Sequence, residues 1–134
     1  MTTDAALTLP LRGSEDIVRM RQSVREHAVQ QGLSLVDQTK LVTAASELGR
    51  NVIDYGGGGE VTISMVASGG RRGVRLVFSD EGPGIADVQL ALRDGYTTGG
   101  GLGLGLGGAK RLCNEFSIES NPGSGTRITV ARWR

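Results

Sequence analysis

Glu47 and Asn51 stand four residues apart in "ASELGRNVIDYG", a spacing that puts both one turn apart on one side of a helix. A carboxylate there could take a proton from an attacking hydroxyl. An amide oxygen one turn on could ligate a hard cation such as Mg²⁺. Further along, "SDEGPGI" brings Asp80 to the end of an apolar run, with Gly82 and Gly84 behind it. Glycines let a backbone turn sharply enough for a flat ring to approach closely, and a carboxylate at that point can accept a hydrogen bond from an exocyclic amine. A third stretch, "TTGGGLGLGLGGAKRL" from Thr97, offers bare amides directly before an apolar helix, an arrangement suited to phosphate oxygens. The fourth, "GSGT", ends at Thr126, whose hydroxyl opens the last strand.

Taken singly, none of these is decisive. On its own, the first pair reads better as a solvated glutamate beside a surface asparagine, and Asp, Gly and Pro crowd ordinary turns. The glycine run could be a slack linker, but Leu102, Leu104 and Leu106 are spaced to pack while the glycines between them leave N–H groups free. It lacks the Lys-Ser/Thr ending of a P-loop and has no strand close before it, so neither that fold nor a dinucleotide fingerprint is expected.

The elements that must position these residues follow from periodicity. A short alternating stretch, Ala5 to Leu11, precedes a helix expected to be capped by Ser14, with Glu15 and Asp16 in its first turn and Ile17, Met20, Val24 and Ala28 along its apolar stripe. A second helix from near Ser34 or Asp37 is expected to carry Leu41, Ala44, Ala45, Leu48, Val52 and Tyr55 on its apolar face, and the run Gly56 to Gly59 stops it. Strands are expected at Glu60 to Ala67 and Gly73 to Ser79, then at Phe116 to Ser120 and Thr126 to Trp133. A short helix from about Leu106 to Asn114 precedes the last pair. Helices drawn to one face of a mixed or antiparallel sheet make the fold α+β.

The chain has 134 residues, 15 basic and 14 acidic, for a net charge of +1. Its length fits one domain, residues 1–134. The scattered arginines and near-neutral charge argue against nucleic acid or an anionic membrane as partner. Glycine, at 22 residues, is about twice its usual share. The single cysteine, Cys113, fits a reducing cytoplasm and a small core side chain. The stretch "MTTDAALTLPLRG" lacks the basic start of a signal peptide, so the protein is expected to stay where it is made.

In this order, E-x-x-x-N, D-x-G-x-G, G-x-G-x-G and G-x-G-T, the motifs resemble the GHKL family of ATP-binding domains, over nearly the whole chain from Ser14. The resemblance implies a Bergerat two-layer α/β sandwich with a mixed, mostly antiparallel sheet, holding ATP and Mg²⁺ beneath a lid at about residues 85–101. It implies Asp80 on the adenine amine, Thr126 near the same edge and Gly82 and Gly84 making room for the ring. Asn51 would hold Mg²⁺ and Glu47 would act as base. The loop Gly101, Leu102, Gly103, Leu104 and Gly105, helped by Thr97 or Thr98, would bind the phosphates. Within the family, "ASELGRN", "DGYTTGGGLGLGLGGAKRLCNEF" and "ARWR" look most like the small RsbT-type serine/threonine kinases of partner-switching pathways. These phosphorylate a STAS-domain partner of the stressosome and activate a PP2C-type phosphatase. An anti-sigma factor that sequesters a sigma subunit in an ATP-dependent way is the alternative. His27, the only histidine, falls on the first helix and is a poor phosphoacceptor.

Overall fold

Alternation of apolar residues builds a sheet here and the 3.6-residue period builds its cover. The computed structural model describes residues 2–84 and 105–134. In chain order the elements are β1 (Thr2–Leu11), α1 (Ser14–Gln30), α2 (Leu35–Asp54), β2 (Gly59–Ser68), β3 (Arg71–Asp80), α3 (Gly105–Arg111), β4 (Glu115–Ser120) and β5 (Thr126–Trp133). The strands form one sheet in the order β1-β2-β3-β5-β4, and each neighbouring pair is antiparallel. The expected mixed, mostly antiparallel sheet is therefore antiparallel throughout its described strands.

The helices lie on one face. Val61 and Ile63 of β2, Val74, Leu76 and Phe78 of β3, and Ile128 and Val130 of β5 meet Met20 and Val24 of α1 and Leu41, Leu48 and Val52 of α2 in a single core. Leu106 and Ala109 bring α3 into the same cluster. Each large apolar side chain buried this way contributes roughly 1.5–3 kcal/mol, so the helix-facing positions hold the layers together.

Both main helices start where a side chain bonds backbone amides at the N-terminus. Ser34 caps α2, its Oγ accepting from the Asp37 amide at 3.1 Å. At α1 the cap is Gly13, one residue earlier than the sequence suggests. The reason is Asp16, whose carboxylate reaches back to accept from the Arg12 and Gly13 amides at 2.8 and 3.2 Å, the acidic half of a capping box. Ser14 is thus the first helical residue.

One helix-facing position of β5 breaks the apolar pattern. Arg132 donates through Nη2 and Nε to Asp37 Oδ1 on α2, at 2.7 and 3.2 Å, and through Nη1 to the Leu112 carbonyl just past α3, at 3.0 Å. The guanidinium holds the Asp37 carboxyl below its ordinary range. This pair ties β5 to α2 and to the end of α3. No helix among the described residues is long and apolar enough to cross a membrane.

Candidate functional site

Side chains alternate between sheet faces, so the strand ends can be read from the core outward. Asp80 lies two residues beyond Phe78, Thr126 two before Ile128, and Ser120 two beyond Ile118, so all three share the helix side. The register aligns them: Gly59 pairs with Asp80, Asp80 with Thr126, and Thr126 with Ser120. A row of polar side chains thus closes the apolar face at one end of the sheet.

Within the row, Asp80 Oδ1 accepts from the Gly82 amide at 2.9 Å, which fixes the carboxylate in a tight Asx turn. Oδ2 makes no hydrogen bond among the described residues. Thr126 Oγ1 lies 2.8 Å from Ser120 Oγ, and Ser120 Oγ donates to the Gly125 carbonyl at 3.2 Å. A cavity of about 210 Å³ opens beside them, lined by Asp80, Ser120, Ser124 and Thr126 among others. Its wall also includes Ser79, Glu119 and Arg127, which belong to the other face, so this space lies at the strand ends and not deep between the layers.

The turns around Asp80 are held by glycines. A Cβ on Gly82 would come 2.7 Å from the Gly56 Cα. Gly84, at φ 78°, packs against the Asn121 carbonyl so closely that a Cβ would overlap it. The Gly123 amide donates to the Pro83 carbonyl at 2.7 Å. The sequence reading reserves the freedom of Gly82 and Gly84 for an approaching ring. In the described structure the groups nearest them belong to the chain's own backbone, which locks the Asp80 turn to the end of α2 and to the β4–β5 turn.

The second half of the site comes from α2. Asn51 is half-buried in its last turns, and its carbonyl accepts from the Tyr55 and Gly56 amides at 2.9 and 3.3 Å. Gly56 then lies against Asp80, so the helix that carries Glu47 and Asn51 ends on the aspartate. Glu47 is only 5% exposed. Carboxylates are rarely buried without a task or a partner, and the solvated glutamate that the sequence left open is excluded by this burial.

The oxygen donors suit a nucleotide and its metal. One Asp80 oxygen is held and the other is available to an amine. Asn51 offers an amide oxygen of the hard type that Mg²⁺ prefers. Gly105 begins α3. Thr97, Thr98, Gly101, Leu102, Gly103, Leu104 and the lid at about residues 85–101 lie outside the described residues.

Sequence reasoning missed Gly56, read there only as a helix stop, and Ser120. Counting in twos from Ile118, with the register of the "NPGSG" hairpin, would have found Ser120. The two residues set aside are placed accordingly. His27 is half-buried and its Nδ1 lies 2.6 Å from the Ser23 carbonyl one turn back. Cys113 packs against the core, and burial pushes its thiol up to about 11.

Comparison with known proteins points the same way. A family model described as histidine kinase-, DNA gyrase B-, and HSP90-like ATPase matches residues 36–134. The chain is 46% identical over 118 residues to the serine/threonine-protein kinase RsbT of Bacillus subtilis (strain 168), covering 88% of this chain and 89% of that one. It is 29% identical over 119 residues to the anti-sigma F factor of Thermoanaerobacter sp. (strain X514), covering 84% and 82%. In fold it is similar to the RsbU and RsbW domains of Rv1364c from Mycobacterium tuberculosis, with a TM-score of 0.65 and 21% identity over 98% of this chain. The chain spans 33% of that longer one.

Proposed function

The chain belongs to the histidine kinase-, DNA gyrase B-, and HSP90-like ATPase family, and from that premise we propose that it is a partner-switching kinase that phosphorylates a serine or threonine of a STAS-domain protein and then activates a PP2C-type phosphatase. Serine/threonine kinase activity and the use of ATP follow from the family and from the 46% identity to RsbT. The STAS acceptor, the phosphatase, the Mg²⁺ and the residue roles are the proposal.

The observation that carries it is the course of α2. Glu47 is buried one turn before Asn51 on α2, and Gly56, two residues past the end of that helix, lies against Asp80 at the end of β3, which supports reading the three as a base, a metal ligand and an amine acceptor of one site. ATP with Mg²⁺ supplies the γ-phosphoryl group and neutralises its charge. Asp80 accepts from the exocyclic amine of the base, with Thr126 at its side. Asn51 offers its amide oxygen to the ion. The amides of residues 101–105, with Thr97 or Thr98, bind phosphates. Glu47 would take the proton of the acceptor hydroxyl as that oxygen bonds to the γ-phosphorus and the bond from the γ-phosphorus to the β–γ bridging oxygen breaks, with ADP as the leaving group. Such a reaction asks the protein mainly for positioning and charge neutralisation, which a site this small can provide.

The test is to incubate the protein with ATP, Mg²⁺ and STAS-domain proteins encoded beside it and to weigh the products. A gain of one phosphate on the STAS protein is expected. The proposed acceptor is wrong if ATP is bound and no STAS protein gains mass. The 29% identity to an anti-sigma F factor favours a second reading, ATP-dependent sequestration of a sigma subunit. Co-purification of a sigma subunit would support it.

A further inference from the structure

We infer that the turn between α1 and α2 is a docking surface for an acidic, partly apolar segment of a protein partner. Asp80 lies at the far end of β3 from this surface, about 25 Å from Arg72 at about 3.3 Å per strand residue, so an occupant here leaves the base edge open.

Three of the large apolar side chains left exposed among the described residues fall between positions 29 and 36: Val29 at 56%, Leu35 at 71% and Val36 at 63%. The others, Leu7, Val18 and Tyr55, fall singly elsewhere, which is normal for a protein surface. The two helices bring the three together. Arg25 Nη1 donates to Gln38 Oε1 at 3.2 Å, so Val29, one turn after Arg25, lies beside the start of α2, one turn before Gln38. The support beneath is rigid. Gln31 is 2% exposed and its Nε2 donates to the Val66 and Gly73 carbonyls at 3.0 and 2.9 Å, while Leu33 enters the core.

Cations border the apolar group. Arg72 Nε donates to Gln31 Oε1 at 3.1 Å, and the Arg134 amide donates to the Arg72 carbonyl at 2.8 Å. The Arg134 side chain lies along Gly32, where a Cβ would come 3.3 Å from its Cδ. Alternation from Val74 and Arg132 puts both arginines on the helix side. Both are exposed, and neither pairs with a carboxylate among the described residues. Like charges set opposite each other across strands are destabilising. Asp37, next to Val36, is taken by Arg132, and Glu26 lies one turn before Val29 on α1.

The occupant follows from these charges. A guanidinium fork held in place suits a carboxylate, which it can bind through two parallel bonds. A second copy docking here by a two-fold would present the same patch and set Arg72 and Arg134 against their own kind. An anionic lipid surface is attracted by basic residues in number, not by two fixed guanidinium groups, and three side chains bury little apolar area in it. A helix with leucines and glutamates one turn apart answers both halves of the patch.

The test is to titrate a synthetic helical peptide of leucine and glutamate at that spacing into the whole ¹⁵N-labelled chain. Amide resonances of residues 29–36, 72 and 134 should shift. Leu35→Ser and Arg134→Glu, both at exposed positions, should each weaken the peptide at least about fivefold, the mark of a contact that matters to an interface; thermal melting checks that each variant stays folded. No shift, shifts confined to other residues, equal binding of a peptide with lysine for glutamate, or undiminished affinity in both variants would overturn the inference. So would sedimentation with phosphatidylglycerol vesicles that Leu35→Ser abolishes while the peptide does not bind, which would assign the surface to lipid. Self-association lost in Leu35→Ser, again without peptide binding, would assign it to a second copy.

Discussion

Gly56 lies against Asp80 so closely that a Cβ at position 56 would come 2.5 Å from the aspartate Cβ and 2.7 Å from its Oδ2. The helix that carries Glu47 and Asn51 and the strand that carries Asp80 therefore meet without a side chain between them, and a displacement at either end is passed to the other.

Gly56→Ala should accordingly push Asp80 out of place. Overpacking of this kind costs about 1–3 kcal/mol, and ATP affinity should fall at least about tenfold. Gly57→Ala is the control. Gly57 has φ 74° with nothing near a Cβ, so alanine there should cost about 1–2 kcal/mol of stability and leave affinity unchanged. Calorimetry and thermal melting of both variants separate the two effects.

Asp80→Asn removes the charge and keeps the shape. Loss of a charged hydrogen bond costs about 1.5–3 kcal/mol, about ten- to a hundredfold in ATP affinity. The unaltered protein should discriminate strongly against GTP in a competition assay; equal binding of ATP and GTP would refute the role given to Asp80.

Glu47→Gln should separate binding from chemistry. ATP affinity should stay near that of the parent, while phosphate transfer slows about a hundred- to ten-thousandfold, the usual worth of a general base. Asn51→Ala should weaken Mg²⁺-dependent binding and transfer together. Transfer at the parental rate in the glutamine variant would exclude Glu47 as base.

The Asp37–Arg132 pair gives a pH dependence whose sign is fixed. Its carboxyl titrates lower in the folded chain than in the unfolded one, so its contribution is present above the unfolded value of about 3.9 and is lost as pH falls through the lower folded value. Asp37→Asn should therefore lower the melting temperature at pH 7 and lose that deficit progressively below about pH 4. A deficit that persists undiminished at pH 2 would assign it to something other than charge.

Much of this was legible in the chain because local rules and tertiary demands agree. Met20 and Val24 keep the helical period, Val61, Ile63, Leu76 and Phe78 keep the period of two, and the strand and helix limits fall within a few residues of expectation. The cap of α1 departed because Asp16 satisfies amides two residues outside the helix, a choice that composition alone does not reveal. Asp80, Thr126, Glu47 and Asn51 could be nominated from motif order, but the pairing of Asp80 with Thr126 depends on the β3–β5 register, and the approach of the chain after α2 to Asp80 depends on Gly56. The contact of Gly56 with Asp80 joins residues 24 apart that no periodicity links. Ser120 was passed over because a serine before a turn carries no signal until its cross-strand partner is known.

The sheet order places β5 between β3 and β4, so the last strand among the described residues is an interior one. A growing polypeptide can form the β1-β2-β3 meander and lay α1 and α2 on it, yet the free edge of β3 stays open until residue 133 has emerged. Asp80 gains its neighbour Thr126 only at that moment. The Asp80–Thr126 pairing is therefore formed late, and until it forms β3 presents an open apolar strand edge of the kind that aggregates.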